Sequence, residues 1–492
     1  MKNEPERRLV IVSNRLPVVI ERDGQDWSIR PSSGGLVTAL APVLRNRGGL
    51  WIGWPGTMDE VELDEPLAAG AKSAGYSLKS VTLSREDRDK FYYGFSNEII
   101  WPLFHDLQGH CNFDPDYWVA YQTVNRNYAE VVKEEVRSED YLWVHDYHLM
   151  NVARELRQLG VDAPIGFFLH IPFPPLDIFM KLPWRFEILQ ALLEYDLIGL
   201  QTLRDQRNFT QCVRTVIKDV HVRGKGQVVS VELGHRDVRV GAFPISIDYR
   251  SFAEHAVTHE IADRAWYIHE DLPKRHIVLG VDRLDYTKGI PYKFEAFRNL
   301  LTRYPELREK ITLLQVVVPS REDIPRYQSL KMEIERLVGE INGLFTVSGW
   351  VPIIYIYRNL DRPELLAYYR TAEIALVTPL KDGMNLVAKE YCACSVEEDC
   401  VLVLSEFAGA AAQLQKAALL VNPYHIESMA DALYQAFTMD MAERRSRMAR
   451  LRKSVRENDI FRWVDSFLNA AIGRELGDFP PLDDYLPQVE IT

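Results

Sequence analysis

Short runs of β-branched and aliphatic residues alternate with helical patterns along almost the whole chain, and this alternation restricts the fold more than any other feature. A strand, a helix and a further strand in that order close as a crossover between parallel strands, so the pattern predicts doubly wound α/β sheets. In the first half the runs are Leu9 to Val12, Leu50 to Ile52, Tyr141 to Val144, Ile165 to Leu169 and Leu197 to Gln201, with a helix over Trp184 to Leu193. An early hairpin is expected where Val18 to Glu21 and Trp27 to Arg30 flank the Asp23-Gly24 turn signal. In the second half the runs are Ile277 to Val281, Leu313 to Val318, Ile374 to Val377 and Val401 to Leu404, between helices near Pro291 to Tyr304, Asp323 to Asn342 and Arg362 to Tyr369. A chain of 492 residues has room for two large domains or three smaller ones, and two sets of strands imply two. The boundary is expected at Phe243-Pro244-Ile245-Ser246-Ile247-Asp248, giving domains at 1–246 and 247–455. Residues 456–492 read as a C-terminal helix and tail, whose return to the N-terminal domain is one of the placements open to it, and whose proline-rich end reads as poorly ordered.

Charge narrows the partners. A net charge of −12 disfavours a broad phosphate-backbone footprint, so neither nucleic acid nor an anionic membrane is expected as a partner. The apolar run at Leu9 to Val12 is too short for an export signal, and no stretch approaches the ~18 apolar residues of a membrane span. Five cysteines, an odd and sparse set, suit a reducing cytoplasm. Cys392, Cys394 and Cys400 cluster without a His at ligand spacing, so no metal is expected there. The Asp87-Arg88-Asp89 and Asp114-Pro115-Asp116 triplets follow no predicted strand and read as helix-start or turn acids. Neither a G-x-G-x-x-G nor a G-x-x-x-x-G-K-[ST] motif occurs, which leaves a nicotinamide or P-loop nucleotide reading without support.

In open α/β sheets ligands gather beyond the carboxyl ends of the strands. Just past the predicted strands stand Arg15, His145 with Asp146, His170, Arg283, Arg321, and Lys381 with Asp382. One such charge is an ordinary solvated loop residue; the same placement at one strand end after another points to a site. Arg283-Leu284-Asp285-Tyr286-Thr287-Lys288-Gly289 sets two cations on one strand-to-helix loop, suited to a nucleotide diphosphate without Mg²⁺. Ser32-Ser33-Gly34-Gly35-Leu36 opens another helix and permits close backbone approach to a phosphate. Lys381-Asp382-Gly383-Met384-Asn385-Leu386-Val387-Ala388-Lys389-Glu390 carries hydrogen-bonding groups suited to sugar hydroxyls and a ribose. Trp51, Trp54, Tyr92, Tyr93 and Trp101 read mostly as core, with a few available to wall a carbohydrate pocket.

The blocks Ser13-Asn14-Arg15-Leu16-Pro17, Ser33 to Leu36, Phe95-Ser96-Asn97, Trp143 to His148, Phe167 to Pro174, Arg283 to Lys288 and Asp382 to Leu386, running in order from Leu9 to about Trp463, resemble the trehalose-6-phosphate synthase (UDP-forming) family. The resemblance implies a GT-B type α/β fold, two Rossmann-like parallel-sheet domains facing a central cleft, the first binding acceptor and the second nucleotide sugar. It implies a retaining glucosyltransferase that moves glucose from UDP-glucose to glucose 6-phosphate by a metal-independent front-face mechanism, with no cofactor and with homo-oligomers common. By position it implies that Arg15, Tyr92 and Arg321 hold the acceptor phosphate with Trp101 nearby, and that Asp146 binds the acceptor sugar. On the donor side it implies Gly34, Gly35, Arg283 and Lys288 for the diphosphate, Asp382 and His170 for the glucose, and Glu390 with the Leu386 to Lys389 segment for the ribose and phosphate. Asp146, His170, Arg283, Lys288 and Asp382 are then the residues nearest the chemistry. Two positions depart from the family pattern: Lys381 stands where Arg is usual, and Leu360, near the implied base pocket, stands where some relatives carry Phe, which leaves UDP, GDP or ADP open. A related transferase acting on a glycerol or cyclitol phosphate, or a catalytically silent sugar-phosphate sensor, remain as alternatives.

Overall fold

The computed structural model describes residues 8–23, 26–31, 49–56, 75–234, 236–272, 275–473 and 482–487, with isolated positions between 37 and 71. It divides into two compact units, one comprising Met1–Ile245 and Ile460–Leu482, the other Ser246–Asp459 and Asp483–Thr492.

The first unit contains β1 (Leu9–Arg15), β2 (Val18–Asp23), β3 (Asp26–Pro31), β4 (Leu50–Trp54), β5 (Ser77–Ser80), β6 (Tyr141–His145), β7 (Ile165–Phe168), β8 (Leu197–Leu200), β9 (His221–Arg223), β10 (Val228–Glu232) and β11 (Asp237–Ala242). Nine of these form one sheet in the order β5-β4-β1-β6-β7-β8-β11-β10-β9, parallel except for the antiparallel pairings of β10 with β11 and β9. The strands β4, β6, β7 and β8 are buried at every position, as a parallel sheet covered on both faces requires. The pair β2 and β3 forms the expected antiparallel hairpin, and its turn at 24–25 lies outside the described residues. Sequence reading missed β5, β9 and β10: the first reads Ser-Leu-Lys-Ser and the second is a three-residue edge strand with exposed ends, neither with a β-branched run, whereas β10 carries Val228, Val229 and Val231 and was passed over.

Helix Ile460–Ile472 belongs to this unit, and the sheet is shaped to receive it. Phe467 stacks on Trp143 of β6 with ring centroids 4.2 Å apart, and Trp463 Nε1 donates to the Phe243 carbonyl at 3.1 Å. A Cβ added at Gly199 of β8 would stand 2.7 Å from the Phe467 ring, so glycine there makes room for it.

The second unit holds β12 (His276–Arg283), β13 (Ile311–Val318), β14 (Ile353–Tyr357), β15 (Ile374–Val377), β16 (Val401–Ser405) and β17 (Leu419–Val421), all parallel, in the order β14-β13-β12-β15-β16-β17, of which β14 and β17 were not among the expected runs. This is the 3-2-1-4-5-6 order of dinucleotide-binding sheets, with its reversal between β12 and β15. Beneath that point Lys293, on helix Ile290–Arg303, donates to Asp282 of β12 at 2.5 Å with both side chains almost wholly buried, and Gln315 of β13 donates to the same carboxylate at 2.9 Å. At 483–485 the chain packs on the second unit: Lys416 pairs with Asp483, Gln415 donates to the Asp484 carbonyl, and Tyr485 donates to Glu406 at 2.9 Å.

Candidate active site

Each sheet reverses its strand order once beside its first strand, and crossover loops diverge there to leave a crevice at the strand ends. In the first unit that point lies between β1 and β6. Arg15 ends β1 exposed, its guanidinium carbon 4.5 Å from the centre of the Trp54 ring at the end of β4. A Cβ at Gly56, which has φ +98, would stand 2.2 Å from that guanidinium. Among the described residues no carboxylate pairs with Arg15, and the protein packed around it pulls its pKa below the usual arginine value. Trp54 in turn lies 6.4 Å from Tyr92, which stacks on His148 at 5.8 Å and 11°.

Tyr92 is carried on Arg88–Ile100, a helix with i→i+5 hydrogen bonds over thirteen residues. Such wide turns are rare and gather at functional sites. Asn97 holds this one from within: its side-chain amide donates to the Tyr92 carbonyl at 2.6 Å, and its oxygen accepts from Tyr147 at 3.0 Å. Trp101 follows directly and is buried against His105 and Tyr147. Upstream Asp87 reciprocates the Ser84 cap and downstream Asp114 caps the helix Pro115–Glu135, so both D-x-D triplets are spent on helix starts.

At the end of β6, Asp146 has φ 75 and ψ 166, a region that costs a non-glycine residue about 1–3 kcal/mol. Its backbone N–H donates to the Phe168 carbonyl at 2.7 Å, and its carboxylate accepts from the His170 N–H at 3.2 Å. Behind it His145 Nδ1 and His170 Nε2 meet at 3.1 Å. Burial drives both rings below the ordinary histidine pKa, His170 to about 3, with His170 adding to the shift of His145. Both therefore stay neutral in the folded protein, whereas in the unfolded chain each binds a proton below about pH 6.5. The unfolded state then holds the extra protons, so stability falls as pH drops below about 6.5, by roughly 1.4 kcal/mol per pH unit for each such group. Urea midpoints measured between pH 6.5 and 5 should decline less steeply for His170→Gln than for the parent; equal slopes would show that His170 takes no part.

In the second unit the reversal brings together the ends of β12 and β15. Asp285 is buried and organises the loop after β12: it accepts from the Thr287 N–H at 3.0 Å, from the Thr287 hydroxyl at 2.9 Å and from Arg321 at 3.2 Å. Burial alone would raise its pKa; Arg321, Arg283 and Lys288 outweigh that and hold it below the usual carboxylate value. The Tyr327 hydroxyl, 2.6 Å away, is a second partner for the Arg321 guanidinium, and Arg321 itself has φ 50. Arg283 reaches solvent at the strand end. Lys288 is followed by Gly289 at φ 66, where a Cβ would lie 2.9 Å from the Thr378 carbonyl, and its ammonium donates to Asp382 at 2.6 Å.

That contact joins the β12 loop to the segment after β15. Asp382 also accepts from the Asn385 side-chain amide at 3.2 Å. Asn385, at φ 76, caps helix Leu386–Cys394 by accepting from the Ala388 N–H at 3.2 Å, so its amide is engaged at both ends within the chain. The first-turn N–H groups of that helix, Leu386 and Val387 among them, lack intrahelical acceptors and make an anion-binding end. Gly383 and Met384 are buried. Lys389 turns inward to Gln413 at 2.7 Å, and burial lowers its pKa to about 7. Glu390 accepts from the Tyr369 hydroxyl at 2.8 Å, and burial raises its pKa despite that bond and the nearby Arg362. Leu360 lies half-buried after β14. Gly34 and Gly35 lie outside the described residues.

Gly409, absent from the sequence reading, anchors the same segment. Its N–H donates to the Asp382 carbonyl at 3.1 Å, and a Cβ there would stand 1.8 Å from the Gly383 carbonyl oxygen. Gly409→Ala should displace Asp382 and weaken catalysis by about 100-fold, the scale of a 1 Å misplacement; unaltered turnover would mean that the backbone yields without moving the carboxylate. Asp285, Tyr327, Tyr369 and Gly409 were all missed as supports. Only Asp285 left a local trace, the Asp-x-Thr spacing of a side-chain-capped turn.

No helix among the described residues is long and apolar enough to cross a membrane, and among them no group of three or more His, Cys, Asp or Glu could hold a metal ion. Four of the cysteines are buried, and none of the five forms a disulfide.

Comparison with known proteins places this geometry. The model of glycosyltransferase family 20 matches residues 7–472. A trehalose-6-phosphate synthase of Mycolicibacterium vanbaalenii is 44% identical over 474 residues, covering 95% of this chain and 96% of that protein. One from Mycobacterium avium is 45% identical over 471 residues, 94% of each. Among solved structures, an α,α-trehalose-phosphate synthase (UDP-forming) of Burkholderia xenovorans in complex with glucose 6-phosphate superposes with a TM-score of 0.85 at 36% identity, covering 95% of this chain and all of that one. An Escherichia coli protein bound with UDP-2-fluoro glucose does so with a TM-score of 0.84 at 36% identity, covering 94% and 98%. These likenesses bear out the two-domain α/β fold class of GT-B type, and the chain belongs to glycosyltransferase family 20.

Proposed function

We propose that this chain transfers glucose from UDP-glucose to the anomeric hydroxyl of glucose 6-phosphate with retention, giving trehalose 6-phosphate and UDP. The observation that carries the reading is the end of β12, where Arg283 and Lys288 flank the buried, ionised Asp285 and Lys288 also grips Asp382. Lys288, held by Asp382, is oriented before the substrate arrives, and with Arg283 at the same strand end it supplies positive charge for a departing diphosphate. The relatives at 44% and 45% identity carry the same activity in their names.

In the proposed reaction the acceptor hydroxyl oxygen bonds to the anomeric carbon on the face from which UDP leaves. The bond from that carbon to the phosphate oxygen breaks, and the hydroxyl proton passes to that oxygen. Asp382 and His170 orient the donor glucose, and Arg283, Lys288 and the N-terminus of helix Leu386–Cys394 hold the diphosphate, with Glu390 on the ribose. Gly34 and Gly35 are assigned to the diphosphate as well. Arg15 and Tyr92 hold the acceptor phosphate, with Arg321 assigned to it too; Trp101 stands nearby, and Asp146 binds the acceptor sugar. Retaining glycosidases use two carboxylates about 5 Å apart, one as nucleophile; this scheme needs neither. The chain acts in the cytoplasm as a homo-oligomer in this reading, which native mass spectrometry tests.

Purified protein given UDP-glucose and glucose 6-phosphate should release UDP and form a non-reducing disaccharide phosphate without added metal. No release with UDP-, GDP- or ADP-glucose would overturn the reading. Competition by glycerol phosphate or a cyclitol phosphate would redirect it to another acceptor.

A further inference from the structure

His145 has no role in the scheme above, yet it is completely buried at the end of β6 with Nδ1 3.1 Å from His170 Nε2. At that distance one nitrogen donates and the other accepts. The rest of the His145 ring decides which. Its Nε2 is buried without a hydrogen-bond partner among the described residues, and so is the indole Nε1 of Trp143, whose ring centroid lies 4.8 Å away on the same strand. Placing the His145 proton on Nε2 would bury an N–H without an acceptor. A buried orphan donor is the rarer and costlier arrangement. With the proton on Nδ1, the buried Nε2 is a bare acceptor instead.

We infer that His145 is a positioning residue: its Nδ1–H donates to His170 Nε2, which fixes His170 as the Nδ1–H tautomer and leaves it a hydrogen-bond donor toward a substrate oxygen. His170 is only partly buried, and no partner within the chain claims its Nδ1 among the described residues. Its own backbone is held by Asp146 on one side, and by Gln201 donating to its carbonyl on the other, so ring and backbone are both located before substrate binds. Burial keeps both rings neutral, which preserves one donor and one acceptor per ring. A ring free to change tautomer would present a lone pair to the sugar oxygen half the time, with nothing to donate.

The tautomer is independent of the proposed activity; its effect on turnover rests on His170 contacting the donor sugar. Nitrogen spectra of protein labelled in its histidines, with the His170 signals identified by their loss in His170→Gln, should show a protonated Nδ1 and a bare Nε2 at His170. The reverse pattern in the wild-type protein would overturn the inference whatever the enzyme does. In kinetics, His145→Leu should lower kcat/KM for UDP-glucose about 10- to 100-fold, the cost of losing a partner that orients a functional side chain, with the KM for glucose 6-phosphate unchanged. His145→Asn keeps an N–H at the Nδ1 position and should recover most of that loss. A merely structural role would instead move both KM values, with no rescue by asparagine. Within a series of mono-deoxy UDP-glucoses, one member should be used equally well by wild type and His145→Leu, because the hydroxyl that His170 addresses is already gone. If the spectra hold but every deoxy donor shows the full loss, the tautomer stands and the sugar contact falls.

Discussion

Replacing Arg283 with alanine is expected to lower kcat at least 100-fold, about 3 kcal/mol of lost transition-state stabilisation, with a smaller change in the KM for UDP-glucose. The asymmetry follows from where charge appears. In bound UDP-glucose the diphosphate is an ester at both ends; as the glycosyl bond breaks, a further negative charge develops on the departing oxygen, and a fixed guanidinium gains most at that moment. Arg283 meets the requirement because its loop is held by buried Asp285, with Thr287 and Arg321 completing the clamp. Arg283→Lys should recover part of the rate, retaining charge without the planar fork. Steady-state kinetics on the two variants and the parent decide the matter: unchanged kcat in Arg283→Ala would remove the diphosphate role, and an equal rise in KM with kcat preserved would reduce it to ground-state binding.

Lys293→Met is expected to destabilise the second unit by about 3–5 kcal/mol, although it keeps the length and the apolar stem of the side chain. The ammonium is fully buried against Asp282, so its removal strands a carboxylate where water cannot reach it. Gln315 still donates to that carboxylate at 2.9 Å, and one neutral hydrogen bond does not replace a charge. Adding Asp282→Asn to Lys293→Met should restore a large part of the loss, because the stranded charge disappears with it. Denaturant midpoints for the two single variants and the double variant test this. A loss under about 1 kcal/mol in Lys293→Met, or a double variant no better than the single, would show that the pair is not uncompensated when broken. Asp282 immediately precedes Arg283, so partly active Lys293→Met protein should also show a raised KM for UDP-glucose.

The parts of this protein legible in the sequence are those written in short windows. The runs at Leu9, Tyr141, Ile277 and Ile374 alternate with helices, and each became a buried parallel strand. The charges after them lie at strand ends because adjacency in the chain puts them there. Strand β5 escaped notice because four residues without a β-branched side chain carry no periodic signal, and it pairs with β4 through the sheet. The wide turns of the thirteen-residue helix that carries Tyr92 were equally invisible, since Phe91, Phe95 and Ile99 recur at a spacing that an ordinary helix gives as well.

Residue identity and spacing by themselves determined the α/β class, the two-domain division, the clustering of polar groups at strand ends and the family resemblance. Only the tertiary structure decided which of those groups answer one another. Lys288 meets Asp382, 94 residues further on, because β12 and β15 are neighbours at the strand-order reversal. His145 meets His170 because β6 lies beside β7, and Gly409 admits the Gly383 carbonyl because nothing larger fits. Strand order is set by how whole crossovers pack on the sheet, a balance of apolar burial summed over many residues, and no local window of the chain records it.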